Sequence, residues 1–486
     1  MQSIAKRRMA NYAIAIATFL SAAFLYSLAN RHHPEHAPYI PATGGNAPLK
    51  GVVNEKEQHN NTPCYVDTDL IKTLGYEYAG YARWEIAVVQ TDNFSGFEKK
   101  LDLPVPSEYQ VLKLNSPERK LALPAEYCTS NAVIEAPIPP RSRVDASSLV
   151  FGVSTSLERL DESLDAFAHW AAGTNTRIIA LVDSQDHWSR VQRRAARMGI
   201  NLTIIKSSED TLDRYFSLTR ILLQNRESAD WGVIIDDDTF FPSMSNLINE
   251  LKHYDPSKSW YIGAPTENFA QMSMFSYMAY GGAGVFLSMP LLEQMDESFD
   301  ECYAWKDDGG DKRVARCVYM HTDTKLTWDH GLFQLDLWEA SGFYESGRRL
   351  PLSIHHWKSW FHTDVVGMGK VASICGDNCQ LNRWRISDEW FLINGFSIIQ
   401  HSYPVSDKDL LAMEQTWDPS PWAREEGYTY SLGPLRPMDE QKISFRLKTA
   451  TEDGNRVRQI YVLEPPEGNP DPPRVLEIVW RVMNQE

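Results

Sequence analysis

From residue 148 onward the chain alternates between two kinds of hydrophobic pattern. Short apolar runs bounded by polar residues read as buried strands: Leu149-Val150-Phe151-Gly152-Val153, Ile178-Ile179-Ala180-Leu181-Val182, Leu202-Thr203-Ile204-Ile205 and Val233-Ile234-Ile235. The stretches between them have helical spacing. Leu157, Leu160, Leu164, Phe167 and Ala171 share one face, 188–198 reads as a basic amphipathic helix, and Leu212, Tyr215, Phe216, Leu222 and Leu223 mark another. Continuous apolar strands alternating with helices predict an α/β domain: a mainly parallel sheet with helices on both faces. Trp260-Tyr261-Ile262-Gly263 extends the series.

The two ends of the chain differ. Lys6, Arg7 and Arg8 precede residues 9–30, which carry no charge. That length matches the roughly 20 residues needed to cross a bilayer. The basic flank predicts a cytoplasmic tail at 1–8, a transmembrane signal anchor at 9–30 and a lumenal body. A cleaved signal peptide is the rival, but its apolar core would span only about 7–15 residues. Residues 31–62 are polar and His-rich, as a flexible stem would be. Residues 63–145 mix short apolar runs with prolines and carry no motif, so they form an accessory region before the α/β domain at 146–400. Beyond it, 442–448, 458–463 and 475–482 run apolar or alternate between proline-rich turns, which predicts a small antiparallel β-rich module at 401–486.

The chain has 486 residues, enough for more than one domain, and its formal net charge is −16. That charge argues against a nucleic-acid partner, which needs a basic face. It would also repel a nucleotide diphosphate unless a metal or a local basic pocket intervened. In a lumenal body the six cysteines can all pair. Their order suggests Cys64 with Cys128, Cys302 with Cys317 and Cys375 with Cys379, other connectivities remaining open. Asn60 and Asn93 sit in N-glycosylation acceptor patterns.

The candidate chemistry centres on residues 231–241, W-G-V-I-I-D-D-D-T-F-F. A buried strand delivers Asp236, Asp237 and Asp238 to its C-terminal end, where open α/β sheets bind ligands. Three adjacent carboxylates repel one another unless a cation sits among them. Alternation along the extended chain points Asp236 and Asp238 one way and Asp237 the other. A polar turn capping a helix near Met244 is the bland alternative. A structural calcium site is another, but calcium takes 6–8 oxygens and no EF-hand-like loop supplies them. Gly281-Gly282-Ala283-Gly284 would let backbone approach a ligand or another strand. Asp311 opens a probable helix after Gly309-Gly310, either as a cap or as a base. Ser353-Ile354-His355-His356-Trp357 could supply the nitrogen ligand that a D-x-D site lacks.

The ordered set, from residues 150–155 through the acidic turn, Tyr261-Ile262-Gly263, Gly281-Gly282-Ala283-Gly284 and Gly310-Asp311 before Cys317, resembles the Fringe-like family 31 of inverting glycosyltransferases. That group includes the Fringe N-acetylglucosaminyltransferases and the core 1 β-1,3-galactosyltransferase, and the resemblance covers roughly residues 148–365. It implies a GT-A domain, a Rossmann-like sheet that binds a UDP-sugar with manganese or another divalent cation. It implies transfer to a hydroxyl of a glycan or glycoprotein with β-1,3 linkage, by a single-pass type II protein of the Golgi membrane. By position, Asp238 and His355 would hold the metal, Asp236 or Asp237 would lie near the ribose and Asp183 near the uracil. Gly281 and Gly282 would approach the donor sugar. Asp311 would be the catalytic base, between the two cysteines of a disulfide. Residues 328–334 resemble a family stretch but depart from it in detail and receive no role. A non-catalytic lumenal chaperone or lectin on the same fold is the alternative.

Overall fold

The computed structural model describes residues 64–483, apart from 118, 124–131, 141, 184–185, 419–425 and 467. The expected tail, span and stem, with Asn60, Cys128 and the Cys64 side chain, lie outside the described residues. Among the described residues no helix is long and apolar enough to cross a membrane.

Seven strands form the first sheet, in the order Leu326–Trp328, Tyr261–Gly263, Val285–Ser288, Trp231–Ile235, Leu149–Thr155, Arg177–Val182 and Asn201–Lys206. Neighbours pair in parallel except around Val285–Ser288, which is antiparallel to both of its partners. The sheet is therefore mainly parallel, as its continuous apolar runs implied, and the fold is mixed α/β. Side chains alternate between two helix layers. Leu149, Phe151 and Val153 pack with the helix Leu157–Ala171 on one face, and Val150, Ile179 and Ile234 pack with the helix Thr211–Gln224 on the other. Ser156 and Asp210 cap these helices through their side chains. Gly152 permits the close fit on the second face, because a Cβ there would lie 2.9 Å from Leu218.

The order of the parallel strands reverses between Leu149–Thr155 and Trp231–Ile235. A crevice opens outside the carboxyl ends of strands at such a switch point. Thr155, Asp183 and Asp236 all stand at those ends.

The second sheet corrects the expected organisation of the flanks. Its nine strands include Tyr78–Thr91, Gln110–Lys113 and Ala132–Pro137 from the N-terminal region, and Ile443–Asp453, Arg456–Leu463 and Arg474–Val482 from the C-terminal one. Tyr78–Thr91 pairs in parallel with Arg474–Val482, so regions 63–145 and 401–486 build one sheet and not an accessory region plus a small module. Arg383–Arg385, Trp390–Ile393 and Ser397–Gln400 also belong to it, although they were expected within the 146–400 domain. The physical reason is burial: Trp84, Trp384 and Trp480 fill one core that neither end of the chain covers alone. Lys442, just before the Ile443–Asp453 strand, meets the buried Glu345 at 2.8 Å.

Candidate active site

The acidic turn is held by backbone pairing. Phe240 and Ile354 exchange two hydrogen bonds of 2.9 Å, which sets His355 beside the carboxylates. Thr239 Oγ1 donates to the Gly282 carbonyl at 3.0 Å, and Ser353 Oγ donates to the Ala283 carbonyl at 2.6 Å. Three segments far apart in sequence are thus tied together at the crevice.

Asp236 and Asp238 both approach His355 while Asp237 meets Arg159. The three form a turn after the strand Trp231–Ile235, in which the Thr239 N–H donates to the Asp236 carbonyl at 3.1 Å. His355 Nε2 lies 2.9 Å from Asp238 Oδ1 and 3.4 Å from Asp236 Oδ2. Its Nδ1 lies 3.0 Å from the Gln334 carbonyl, so that nitrogen carries the proton and Nε2 faces the carboxylates. Burial opposes charge on His355, but Asp236 and Asp238 outweigh it and raise its pKa well above the ordinary value. Burial likewise works against an ionised Asp238, yet His355 pulls its pKa far below the usual carboxylate range.

Asp238, His355 and His356 each offer a ligand atom within 4.8 Å of the others. Mixed carboxylate and imidazole donors fit a divalent cation of intermediate softness. His356 is the less available of the two histidines. Its Nε2 meets Asp336 Oδ1 at 3.1 Å and its Nδ1 meets Ser359 Oγ at 3.0 Å.

Asp237 is already occupied. Arg159 grips it with two hydrogen bonds of 2.8 and 2.6 Å, Lys358 Nζ stands 3.2 Å away, and Thr155 donates to it. Its carboxylate anchors Arg159 and Lys358, whereas Asp236, with a side chain 40 % exposed, faces His355 Nε2 at 3.4 Å. The cleft of about 460 Å³ is lined by Asp183, Arg159, Arg214, Asp236, His355 and Trp360, among others. Four aspartates line it, Asp183, Asp236, Asp237 and Asp238, against the two arginines Arg159 and Arg214.

The glycines receive side chains of the site. A Cβ on Gly281 would lie 2.4 Å from the Tyr215 hydroxyl, 3.0 Å from Asp311 Oδ1 and 3.1 Å from Asp236 Oδ1. A Cβ on Gly282 would lie 2.1 Å from His355 Nδ1. Asp311 and Asp236 thus converge on Gly281. Burial and then the charge of Asp236 push the Asp311 carboxyl up to about 7, against Tyr215 and the Gly281 N–H, which favour its ionised form. Asp311 is not the N-cap of its helix, Gly310–His321. Gly309 takes that position, and Asp311 lies in the first turn.

Cys302 and Cys317 form a disulfide that brackets Asp311, and Cys375 pairs with Cys379. Asn93 is exposed in a turn after the Tyr78–Thr91 strand.

Sequence reasoning missed Arg159, Lys358, Gln334 and Glu267. Glu267 is fully buried and accepts the backbone N–H groups of Gln334, Leu335 and Asp336 at 3.0, 2.7 and 3.3 Å. Those residues position His355 and His356 through the Gln334 carbonyl and the Asp336 carboxylate. Residues 328–334 were noticed in the sequence, but nothing in their spacing marks Gln334.

Residues 271–363 match the model of a family described as a protein of unknown function, DUF604. The match covers less than half of the chain but includes Gly281, Gly282, Asp311 and His355. No curated protein sequence matches. Among solved structures, a mannosyltransferase from Pyrobaculum calidifontis in complex with GDP-Man and Mn2+ is similar at 16 % identity and TM-score 0.26, over 40 % of this chain and 57 % of that one. The glycosyltransferase GlyE of Streptococcus pneumoniae gives 15 % and 0.29, over 44 % and 54 %. Mouse xyloside xylosyltransferase 1 gives 11 % and 0.27, over 41 % and 87 %. The matched stretch spans little more than half of the first two chains. At this level the likeness assigns neither substrate nor activity.

Proposed function

We propose that this chain is a metal-dependent inverting glycosyltransferase that moves a sugar from a UDP-sugar to a hydroxyl of a glycan or glycoprotein. The observation that carries the reading is the placement of a separate carboxyl, Asp311, beside the Asp236–Asp238–His355 cluster at Gly281. Asp238 and His355 would hold the cation, and His356 would support it. A divalent cation there supplies Lewis-acid charge for a departing diphosphate. Arg214, buried and with its Nε lacking a hydrogen-bond partner, and Arg159 offer further positive charge to the phosphates. Asp236 and Asp183 line the same cleft and suit the ribose and the base.

Direct displacement inverts the anomeric centre and needs one base to take the acceptor proton. Asp311 is held above the ordinary carboxylate value by burial and Asp236, and a cation on the cluster would offset the Asp236 charge and favour the ionised base. No second carboxylate nucleophile is required. The family resemblance of the motifs supports UDP and a β-1,3 linkage.

The two disulfides support an oxidising compartment. With the uncharged segment at 9–30 they favour a single-pass type II protein of the Golgi membrane, glycosylated at Asn60 or Asn93.

The test is hydrolysis of a panel of UDP-sugars by the full chain with and without manganese. One donor should be hydrolysed only when the metal is present. If no donor is hydrolysed and UDP does not bind with any cation, the chain is a chaperone or lectin instead.

A further inference from the structure

A second cleft, of about 360 Å³, lies next to the metal cleft, and Trp360 lines both. Two indoles dominate it. Trp338 is 63 % exposed and Trp360 41 % exposed, and their rings are nearly parallel at 9° with centroids 5.7 Å apart. The stack continues inward, because Trp360 lies on His356 at 3.8 Å and 3°, and His356 stands 4.0 Å from Asp238. A ladder of flat rings therefore runs from the surface to the metal cluster.

Exposing two large indoles side by side is costly for a soluble surface, and such a patch marks an interaction site. The chemistry around it narrows the ligand. Glu339 and Asp364 come from the catalytic layer, and Arg446 and Lys448 come from the Ile443–Asp453 strand of the second sheet. Acidic and basic groups are balanced, so the cleft selects no net charge. A pyranose ring presents an apolar C–H face and a rim of hydroxyls. It needs a flat aromatic plane with polar groups at the edge. Trp338, the outer ring of the ladder, offers the plane, and Glu339, Asp364, Arg446 and Lys448, though partnered within the protein, form a polar rim. A proline-rich peptide also docks on exposed aromatics, but it needs a longer groove than two indoles provide.

We infer that the Trp338–Trp360 cleft is the acceptor-side saccharide subsite, holding a neutral di- or oligosaccharide with one end toward the metal cleft. The inference rests on the glycosyl-transfer reading. It gives the second sheet a role in choosing the acceptor.

The test titrates the full chain with lactose, N-acetyllactosamine, cellobiose and chitobiose, following tryptophan fluorescence, and separately with UDP and manganese. At least one disaccharide should bind. Trp338→Ala should weaken it tenfold or more, and Trp338→Phe should recover most of the affinity. Trp338 is exposed, so the melting temperature should hold, and UDP–manganese affinity should change by no more than about twofold. Equal saccharide affinity in wild type and Trp338→Ala would overturn the inference. So would displacement of the sugar by UDP–manganese, or failure of all four disaccharides to bind. Saccharide binding by a wild-type chain that fails to bind UDP–manganese would keep the cleft and remove the transferase reading.

Discussion

His355 stands 2.9 Å from Asp238 through Nε2 and 3.0 Å from the Gln334 carbonyl through Nδ1, so one ring nitrogen is committed to backbone and the other to the carboxylates. Metal-ligating histidines are oriented in this way. Asp238→Asn should abolish manganese-dependent UDP binding, and His355→Ala should weaken manganese affinity tenfold or more. Equilibrium titration monitored by manganese EPR reads both. Unchanged UDP–manganese affinity in Asp238→Asn would remove the central claim.

Gly282 sits against the same ring. Gly282→Ala would place a methyl 2.1 Å from His355 Nδ1, so the ring must leave its position. Manganese affinity should fall as far as it does in His355→Ala. Gly309→Ala is the control, since nothing lies within 4 Å of a Cβ there. Equal manganese binding by both glycine variants would show that His355 is not held where the structure puts it.

Glu267 acts one step further back. Its carboxylate gathers three backbone N–H groups of a loop in which Leu335 has φ +59°. Glu267→Gln keeps the shape but turns an N–H₂ group toward those donors. A buried donor left unsatisfied costs about 1–3 kcal/mol. The loop carries the Gln334 carbonyl and Asp336, so manganese affinity should drop about tenfold along with a lower melting temperature. A lower melting temperature with intact manganese affinity would make Glu267 a core acid and nothing more.

What the sequence disclosed follows the range of each interaction. The strand Trp231–Ile235 is local, so its burial and the delivery of three carboxylates to its end could be read from the pattern, but the carboxylates lie in a turn, where strand alternation does not apply. The partners of Asp237 were not legible, because Arg159 and Lys358 lie far away in sequence and on other elements. For Asp311 the sequence left a cap and a base open, and the cap falls to Gly309, which has the extended φ and ψ that an N-cap needs. The second sheet was hidden for a topological reason: Tyr78–Thr91 pairs with Arg474–Val482, across almost the whole described chain. Local patterning marks 475–482 as a strand, but it assigns no element to 78–91 and cannot show that the two are neighbours.

The Cys302–Cys317 bond joins the helix Phe299–Tyr303 to Gly310–His321 across 15 residues. Closing a loop of that length stabilises by about 3 kcal/mol in the chain-entropy model. Cys302→Ser with Cys317→Ser should lower stability by about that amount in urea titrations, and turnover should fall because the bracket around Asp311 loosens. An unchanged urea midpoint together with free thiols in wild type under non-reducing conditions would contradict the bond.

Asp311 decides whether the site catalyses as proposed. Asp311→Asn should lower turnover by roughly 10²–10⁴ while UDP–manganese affinity stays near wild type. The pH dependence has a definite sign. Burial and then Asp236 raise the carboxyl to about 7, so protons occupy it as pH falls through that value, and kcat/KM of wild type should decline on the acid side. The same shift affects stability. An unfolded Asp ionises near about 4. Between there and about 7 the folded chain keeps a proton that the unfolded chain gives up, so this group favours folding at low pH and loses that contribution as pH rises. Asp311→Asn cannot ionise, so its stability relative to wild type should improve from pH 5 to pH 8. Near-normal transfer by Asp311→Asn, with no acid limb lost from the profile, would move the search for the base to Asp236, the other acid that converges on Gly281.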